Sequence, residues 1–387
     1  MTSPPERPAS PVKYEPNRLR RMLQKMFALP PDVPLFTPLL IIAVVGLVLV
    51  CAYAYAAGWL SPARLTPTRI INTFNEDFGT HPGFRRNHAK GVCVVGYFDG
   101  NGQASRLSEA LVFGTQRTTV IGRFAIPGGN PEITDASSPV RSLALQFQQP
   151  NGEQWRTGMN NVPLFAVKTP QAFYEQLVAS RPDPATGKPD PARMKAFFDA
   201  HPETAGSRQW VKTHPPSSSW ANGTYYSINA FQLVAANGEK QFVRWAMVPE
   251  LAYAPVDPTL PKAADFLSHD LDQQLQQGPL RWHLILTLAK AGDVTDDATQ
   301  AWPADRITLD AGTLTLKQSI TQDDGPCRDV NFDPLILPHG IQPSNDPLLA
   351  ARSSAYSRSF NVRTREEAEG AVKTTAAAHL IVKRGNP

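Results

Sequence analysis

The chain has only three cysteines in 387 residues, Cys51, Cys93 and Cys327, with no CxxC pair and no cluster of histidines. This excludes the usual zinc modules, which need closely spaced ligands, and the disulfide framework of small secreted domains. Charge of one sign is scarce too. The formal net charge is +4 and the basic residues are scattered, so no stripe is available to a nucleic-acid backbone and no nucleic-acid partner is expected. No internal repeat is present. What remains is 42% hydrophobic residues, enough to build a sizeable core in one large domain or two. Cys93 lies in an apolar segment and reads most simply as a small buried hydrophobe; a Cys93 to Cys327 disulfide is the alternative, and only an oxidising compartment permits it.

Charge is missing altogether from residues 39–60, which at about 1.5 Å per residue are long enough to cross a bilayer and end near Trp59, an interfacial residue type. A transmembrane helix over residues 37–60 is expected. Before it, residues 1–36 form a proline-rich, basic tail, and after it residues 61–66 read as a linker to a folded domain spanning 67–387. Arg7, Lys13, Arg18, Arg20, Arg21 and Lys25 precede the apolar run, whereas only Arg64 and Arg69 follow closely. The positive-inside rule then places the N-terminus in the cytoplasm, with a single-pass anchor and a periplasmic or otherwise extracytoplasmic head.

Beyond residue 66 the pattern is mainly of strands, at 92–98, 118–124, 142–148, 164–167, 224–233, 241–247 and 282–288. Asn151-Gly152 and Asn237-Gly238 supply the positive φ angles of tight hairpins. Helices are predicted at 68–78, 171–179, 191–200 and 263–276, most of them after a proline or polar start signal, with a short one at 365–372. Many strands at short spacing with local helices give an α+β chain built on an antiparallel barrel or sandwich with helical insertions.

Two stretches carry chemistry. Arg85, Arg86, Asn87, His88, Ala89, Lys90, Gly91 runs into the first apolar strand and puts a histidine at its mouth. Far downstream, Arg352 precedes Tyr356 by one helical turn, a spacing that favours a charged phenol oxygen; a tyrosine oxygen is one of the few proximal ligands of haem iron. Together these segments resemble the haem catalase family, in particular its short catalase-related peroxidases. The resemblance covers most of the chain after Thr66. Asn160, Asn161, Val162, Pro163, Leu164, Phe165 is similar to the family's segment beside the distal histidine, and Asp265-Phe266-Leu267, Trp302-Pro303, Phe332-Asp333-Pro334 and Gly340-Ile341-Gln342-Pro343-Ser344 follow in the family's order.

The resemblance implies a catalase-type antiparallel β-barrel and a haem b cofactor. It assigns His88 and Asn160 to catalysis on peroxide, and Tyr356 to the iron with Arg352 beside it. Arg85, Arg123 and Arg363 match its propionate-binding arginines, a role that suits a bidentate guanidinium fork, and Phe165 and Phe173 match aromatic residues over the haem. The implied function is a peroxidase that cleaves hydrogen peroxide or organic hydroperoxides and oxidises a small organic donor, with weak catalase activity. A haem-binding or structural barrel without turnover is the alternative, and the joint presence of His88, Asn160, Arg352 and Tyr356 weighs against it. The chain is too short after Arg363 for the family's helical domain, so no NADPH binding is expected.

The resemblance also has departures. Ala125 stands where catalases carry a serine that hydrogen-bonds the distal histidine. Asn87 replaces an apolar neighbour and is expected to wet the distal side. Ser354 and Arg358 replace a Phe and an Asp around Tyr356.

Overall fold

The computed structural model describes residues 36–57, 59, 64–259 and 262–370. The basic tail and most of the linker lie outside the described residues, as do residues 371 and 372 of the short helix. The chain divides into two units between Arg64 and Leu65.

In the first unit, α1 (Phe36–Ala56) contains 18 consecutive residues, Leu39–Ala56, long and apolar enough to cross a membrane. Most of its large apolar side chains, among them Leu47 and Val50, are more than half exposed, the opposite of a core helix. At its C-terminal end the Arg64 guanidinium donates to the Ala56 carbonyl, satisfying an acceptor that the helix leaves open.

The second unit begins with α2 (Pro67–Phe78). Nine further segments form its first half: β1 (Gly91–Gly100), β2 (Arg117–Ala125), β3 (Ser142–Gln148), β4 (Gln154–Asn160), α3 (Pro170–Ala179), α4 (Pro191–Ala200), α5 (Thr204–Thr213), β5 (Tyr225–Tyr226) and β6 (Phe231–Val234). Then follow β7 (Lys240–Pro249), α6 (Phe266–Gln277), β8 (Leu280–Leu288), β9 (Thr308–Thr321), β10 (Ile341–Pro343) and α7 (Pro347–Ala368). All strand pairs are antiparallel. The order β7-β5-β4-β3-β2-β1-β9-β8 is closed by the pairing of β7 with β8, giving an eight-stranded barrel with β6 and β10 added beside β7. Closure removes the open edges that a flat sheet would expose. The interior is aromatic: Trp155 stacks on Phe147 at 4.6 Å and meets Trp245 edge-on at 5.0 Å, and both indoles are buried.

Helix starts follow the sequence signals. α2, α3, α4 and α7 each open with a proline at the first position, behind a capping Thr66, Thr169, Asp190 or Asp346 whose side chain accepts a backbone amide. Three expectations fail. Residues 164–167 form irregular backbone and not a strand: Phe165 bonds its amide to the Ala298 carbonyl and lines a cavity instead of joining a sheet. Residues 224–233 are not continuous: the chain breaks between β5 and β6, with Ile228 at φ 67°, a rare conformation for a β-branched residue. The short C-terminal helix is instead the end of α7, 22 residues long, while β9 and α5 are additional elements.

Candidate active site

The two-residue period of a strand divides each barrel strand between a core face and an outer face. Phe124 of β2, Leu143 and Leu145 of β3, and Met159 of β4 fill the barrel. Their neighbours Arg123, Ala125, Ser142, Ala144, Gly158 and Asn160 line a cavity on the other side. Register aligns them in two rows across the sheet, Gly91, Ala125, Ser142, Asn160 and Cys93, Arg123, Ala144, Gly158. Six of these eight side chains are Gly, Ala, Ser or Cys, so the surface has low relief. Ile70, Ile71 and Phe74 of α2, Phe173 of α3, and Leu348, Ala355 and Phe360 of α7 supply apolar walls to the same cavity.

His88 precedes β1 and reaches this cavity from a left-handed backbone, φ 57°. Such strain costs about 1–3 kcal/mol and persists only where the surroundings enforce it. They do. Asn87 Oδ1 accepts from the amides of His88 and Gly128 at 2.9 and 2.8 Å, so its oxygen holds the turn and is not a spare polar group wetting the distal side. Lys90 pairs with buried Asp135 and with Asp265, and Arg86 donates to the carbonyls of His81 and Phe84 and pairs with Glu366 of α7. Most of the motif is therefore a clamp that aims His88. Its Nδ1 is buried with no hydrogen-bond partner, which agrees with the missing hydroxyl at Ala125. Burial, together with the nearby Arg123, Arg352 and Arg85, lowers the imidazole from 6.5 to about 3, so it is a neutral base at physiological pH.

Asn160 ends β4 beside Ser142. The Ser142 hydroxyl donates to Asn160 Oδ1 at 2.6 Å, which fixes the amide and leaves Nδ2 as the free donor. Nothing in the sequence marked Ser142 as its partner; only the β3–β4 register brings them together.

Arg352 and Tyr356 project from one face of α7. The guanidinium makes no hydrogen bond to the phenol oxygen. It donates to Asn229 Oδ1 and to the Gly158 carbonyl, and its carbon lies 5.8 Å from the Tyr356 ring centre. Asn229 in turn donates to Asp346, the cap of α7, at 2.8 Å. Asn229 escaped the sequence reading, since its only signal is an amide interrupting an apolar run. Gly158 eases this approach, because a Cβ there would sit 3.2 Å from Arg352 Nη2 and make the guanidinium give way by a few tenths of an ångström. Ser354 and Arg358 lie off the cavity, and Ser354 is exposed with its hydroxyl bonded back to Ala350. These two departures leave the site's lining unaltered.

Arg85, Arg123 and Arg363 gather at the same cavity. Arg85 Nη2 donates to the carbonyls of Cys327, Arg328 and Val330, and its Nη1 is buried without a partner. Arg123 is held by Gln322 and the Ala89 carbonyl, and a Cβ on Gly91 would fall 2.6 Å from its guanidinium carbon, which explains the glycine that ends the motif. Burial, then mutual repulsion, lowers Arg85 and brings Arg123 to about 9. A buried surplus of positive charge of this kind is costly unless an anion joins it.

The structure also pairs Cys93 with Cys327, Cα atoms 5.4 Å apart, in place of the unpaired thiol that was the simpler expectation. Linear distance, 234 residues, hid what the barrel brings together. All nine residues assigned to the site, His88, Asn160, Tyr356, Arg352, Arg85, Arg123, Arg363, Phe165 and Phe173, line this one cavity.

A closed antiparallel barrel bearing, on its outer face, a low-relief apolar cavity with a histidine, a tyrosine and an arginine edge defines a receptor for a flat, anionic cofactor. The family profile described as Catalase matches residues 81–369. Over 82% of its length the chain is 38% identical to a catalase-related peroxidase of Synechococcus elongatus, covering 94% of that protein, and over 78% it is 32% identical to a catalase-related peroxidase of Mycolicibacterium paratuberculosis, covering 95%. Among solved structures, catalase A of Saccharomyces cerevisiae is similar in fold, with a TM-score of 0.66 at 18% identity, over 73% of this chain and 62% of that one. The chain belongs to the catalase family. That family implies a haem, and the residues present fit one: Arg85 Nη1 is buried at the arginine edge with no hydrogen-bond partner, the floor is low, and Tyr356 offers an oxygen ligand.

Proposed function

We propose that this chain is a membrane-anchored haem peroxidase that cleaves hydrogen peroxide or organic hydroperoxides and oxidises a small organic donor, with feeble catalase activity. The observation that carries the reading is the meeting of His88, Asn160, Arg352 and Tyr356 in one apolar cavity edged by Arg85, Arg123 and Arg363. Haem b is the form we propose, and its two propionate carboxylates suit that edge. Tyr356 would hold the iron, Arg85, Arg123 and Arg363 the propionates, and Phe165 and Phe173 the faces of the ring. When bound, the haem supplies the redox-active iron at which peroxide is reduced.

The chain's own residues manage the proton. Neutral His88 accepts it from one peroxide oxygen and returns it to the departing one, so that the leaving group is water or an alcohol. Asn160 Nδ2, oriented by Ser142, donates to the peroxide and holds it for this transfer. Arg352, fixed by Asn229 and Gly158, keeps a positive charge beside the Tyr356 ring.

Peroxidation is expected to outweigh dismutation, because His88 Nδ1 has no partner to fix its tautomer and so a second peroxide is less well aligned. An oxygen electrode and a dye-oxidation assay on one haem-loaded sample test this. Dye oxidation with little oxygen release is the expected result, and rapid oxygen release without dye oxidation would overturn it.

The extracytoplasmic head rests on the lysine and arginine asymmetry about α1, and the Cys93–Cys327 disulfide supports it, since such bonds persist in oxidising compartments. The domain bounds 1–36, 37–60, 61–66 and 67–387 belong to the same reading. A reporter fused after Pro387 should be active only outside the cytoplasm; activity confined to the cytoplasm would reverse the orientation.

A further inference from the structure

The segment after β9, residues 322–333, makes an unusual number of connections to the arginine edge. Its Gln322 side chain accepts from Arg123 Nε at 2.9 Å. The carbonyls of Cys327, Arg328 and Val330 accept from Arg85 Nη2, and Arg85 lies 5.9 Å from the Phe332 ring centre. Arg328 pairs with Glu367 at 3.3 Å, on the helix that carries Arg363, and Asp333 accepts from Ser353 at 2.6 Å on the same helix.

Yet the segment is largely turns and irregular backbone, with no strand or helix of its own from residue 322 to 333. Turns hold position weakly unless something pins them. The pin is the Cys93–Cys327 bond, buried at both ends and packed with Phe332. Cys93 is the β1 residue in register with Arg123, so the bond joins the strand position beside one arginine to the loop whose carbonyls grip another. Gly325 makes the approach possible, since a Cβ there would fall 2.5 Å from Cys93 Cβ.

We propose that the Cys93–Cys327 disulfide is a positioning element for the cofactor: it fixes residues 322–333 so that Arg85 and Arg123 are held ready for an anionic edge, and haem retention therefore depends on the oxidised state of the protein. The inference rests on the haem reading and adds to it a dependence on thiol redox state. Reduction takes two electrons and two protons from a dithiol-class donor, breaking the S–S bond and leaving two thiols. Arg85 then loses a fixed set of acceptors, and the charge-assisted contacts it would offer a carboxylate lose their preorganisation.

The test compares haem with its dimethyl ester, which lacks the two negative charges. Each is loaded into the full-length chain in detergent, and transfer to excess apomyoglobin is followed in the visible spectrum. In Cys93→Ser/Cys327→Ser, release of haem should quicken at least about tenfold, the scale of one lost charge-assisted contact, while release of the ester changes less than about twofold. Cys327→Ala, which leaves Cys93 as a buried thiol, should behave alike and serves if the double variant does not fold. Equal acceleration for both ligands, or none for either, would show that the bond only stabilises the fold or does nothing, and would overturn the proposal. If the oxidised wild type itself released haem and ester at the same rate, the assignment of the arginine edge would fall together with it.

Discussion

Tyr356→Phe is expected to lose haem, with affinity falling by at least about a hundredfold. Removing a group that merely supports a metal ligand already costs about ten- to a hundredfold, and here the ligand oxygen itself is deleted. The substitution removes one atom from a ring that lines the cavity, so the barrel and α7 should fold as before, and circular dichroism should show it. Arg352 keeps its bonds to Asn229 and Gly158 in the variant, because neither involves the phenol oxygen. Loss of binding can then be traced to that oxygen. Titration of the purified chain with haem is the measurement, and the wild type should give the spectrum of a tyrosine-ligated ferric haem. A variant that kept a normal Soret band would show that another residue is the ligand.

His88→Ala should do the reverse, retaining haem while slowing peroxide consumption by at least about a hundredfold, the usual contribution of positioned acid-base catalysis. The same residue sets a pH dependence. Its folded value, about 3, lies below the ordinary 6.5, so the neutral, competent form persists well into acid. Peroxide consumption should have no acid limb near 6.5, and any limb due to His88 should lie well below it. The sign for stability follows. Below 6.5 the unfolded chain takes up a proton that folded His88 does not, so stability from this group is full at neutral pH and falls as pH drops from 6.5 towards 3. Stopped-flow peroxide consumption across pH, in wild type and variant, checks both statements. Unchanged kinetics in His88→Ala would remove the residue from the mechanism.

The sequence by itself determined the elements with strong local causes. Helix starts at Pro67, Pro170 and Pro191 are preset by a fixed φ and a capping side chain, and the Asn151-Gly152 and Asn237-Gly238 turns form because Gly152 and Gly238 take positive φ. The uncharged run in α1 needed no tertiary information. The nine site residues were legible through their order along the chain, which resembles a known family, though no local rule makes His88 a base or Tyr356 a ligand.

Tertiary structure decided how those residues are held. Asn229 and Ser142 became partners of Arg352 and Asn160 only because barrel closure and register bring distant chain segments together, and the Arg352 guanidinium, one helical turn from Tyr356, directs its hydrogen bonds to Asn229 and the Gly158 carbonyl. Cys93 and Cys327 are likewise joined across 234 residues. Periodicity records which face a side chain takes, because that depends on its near neighbours. It does not record which strand lies alongside, since that is set by the closure of the whole sheet, and so the partners, the cavity and the disulfide belong to the fold.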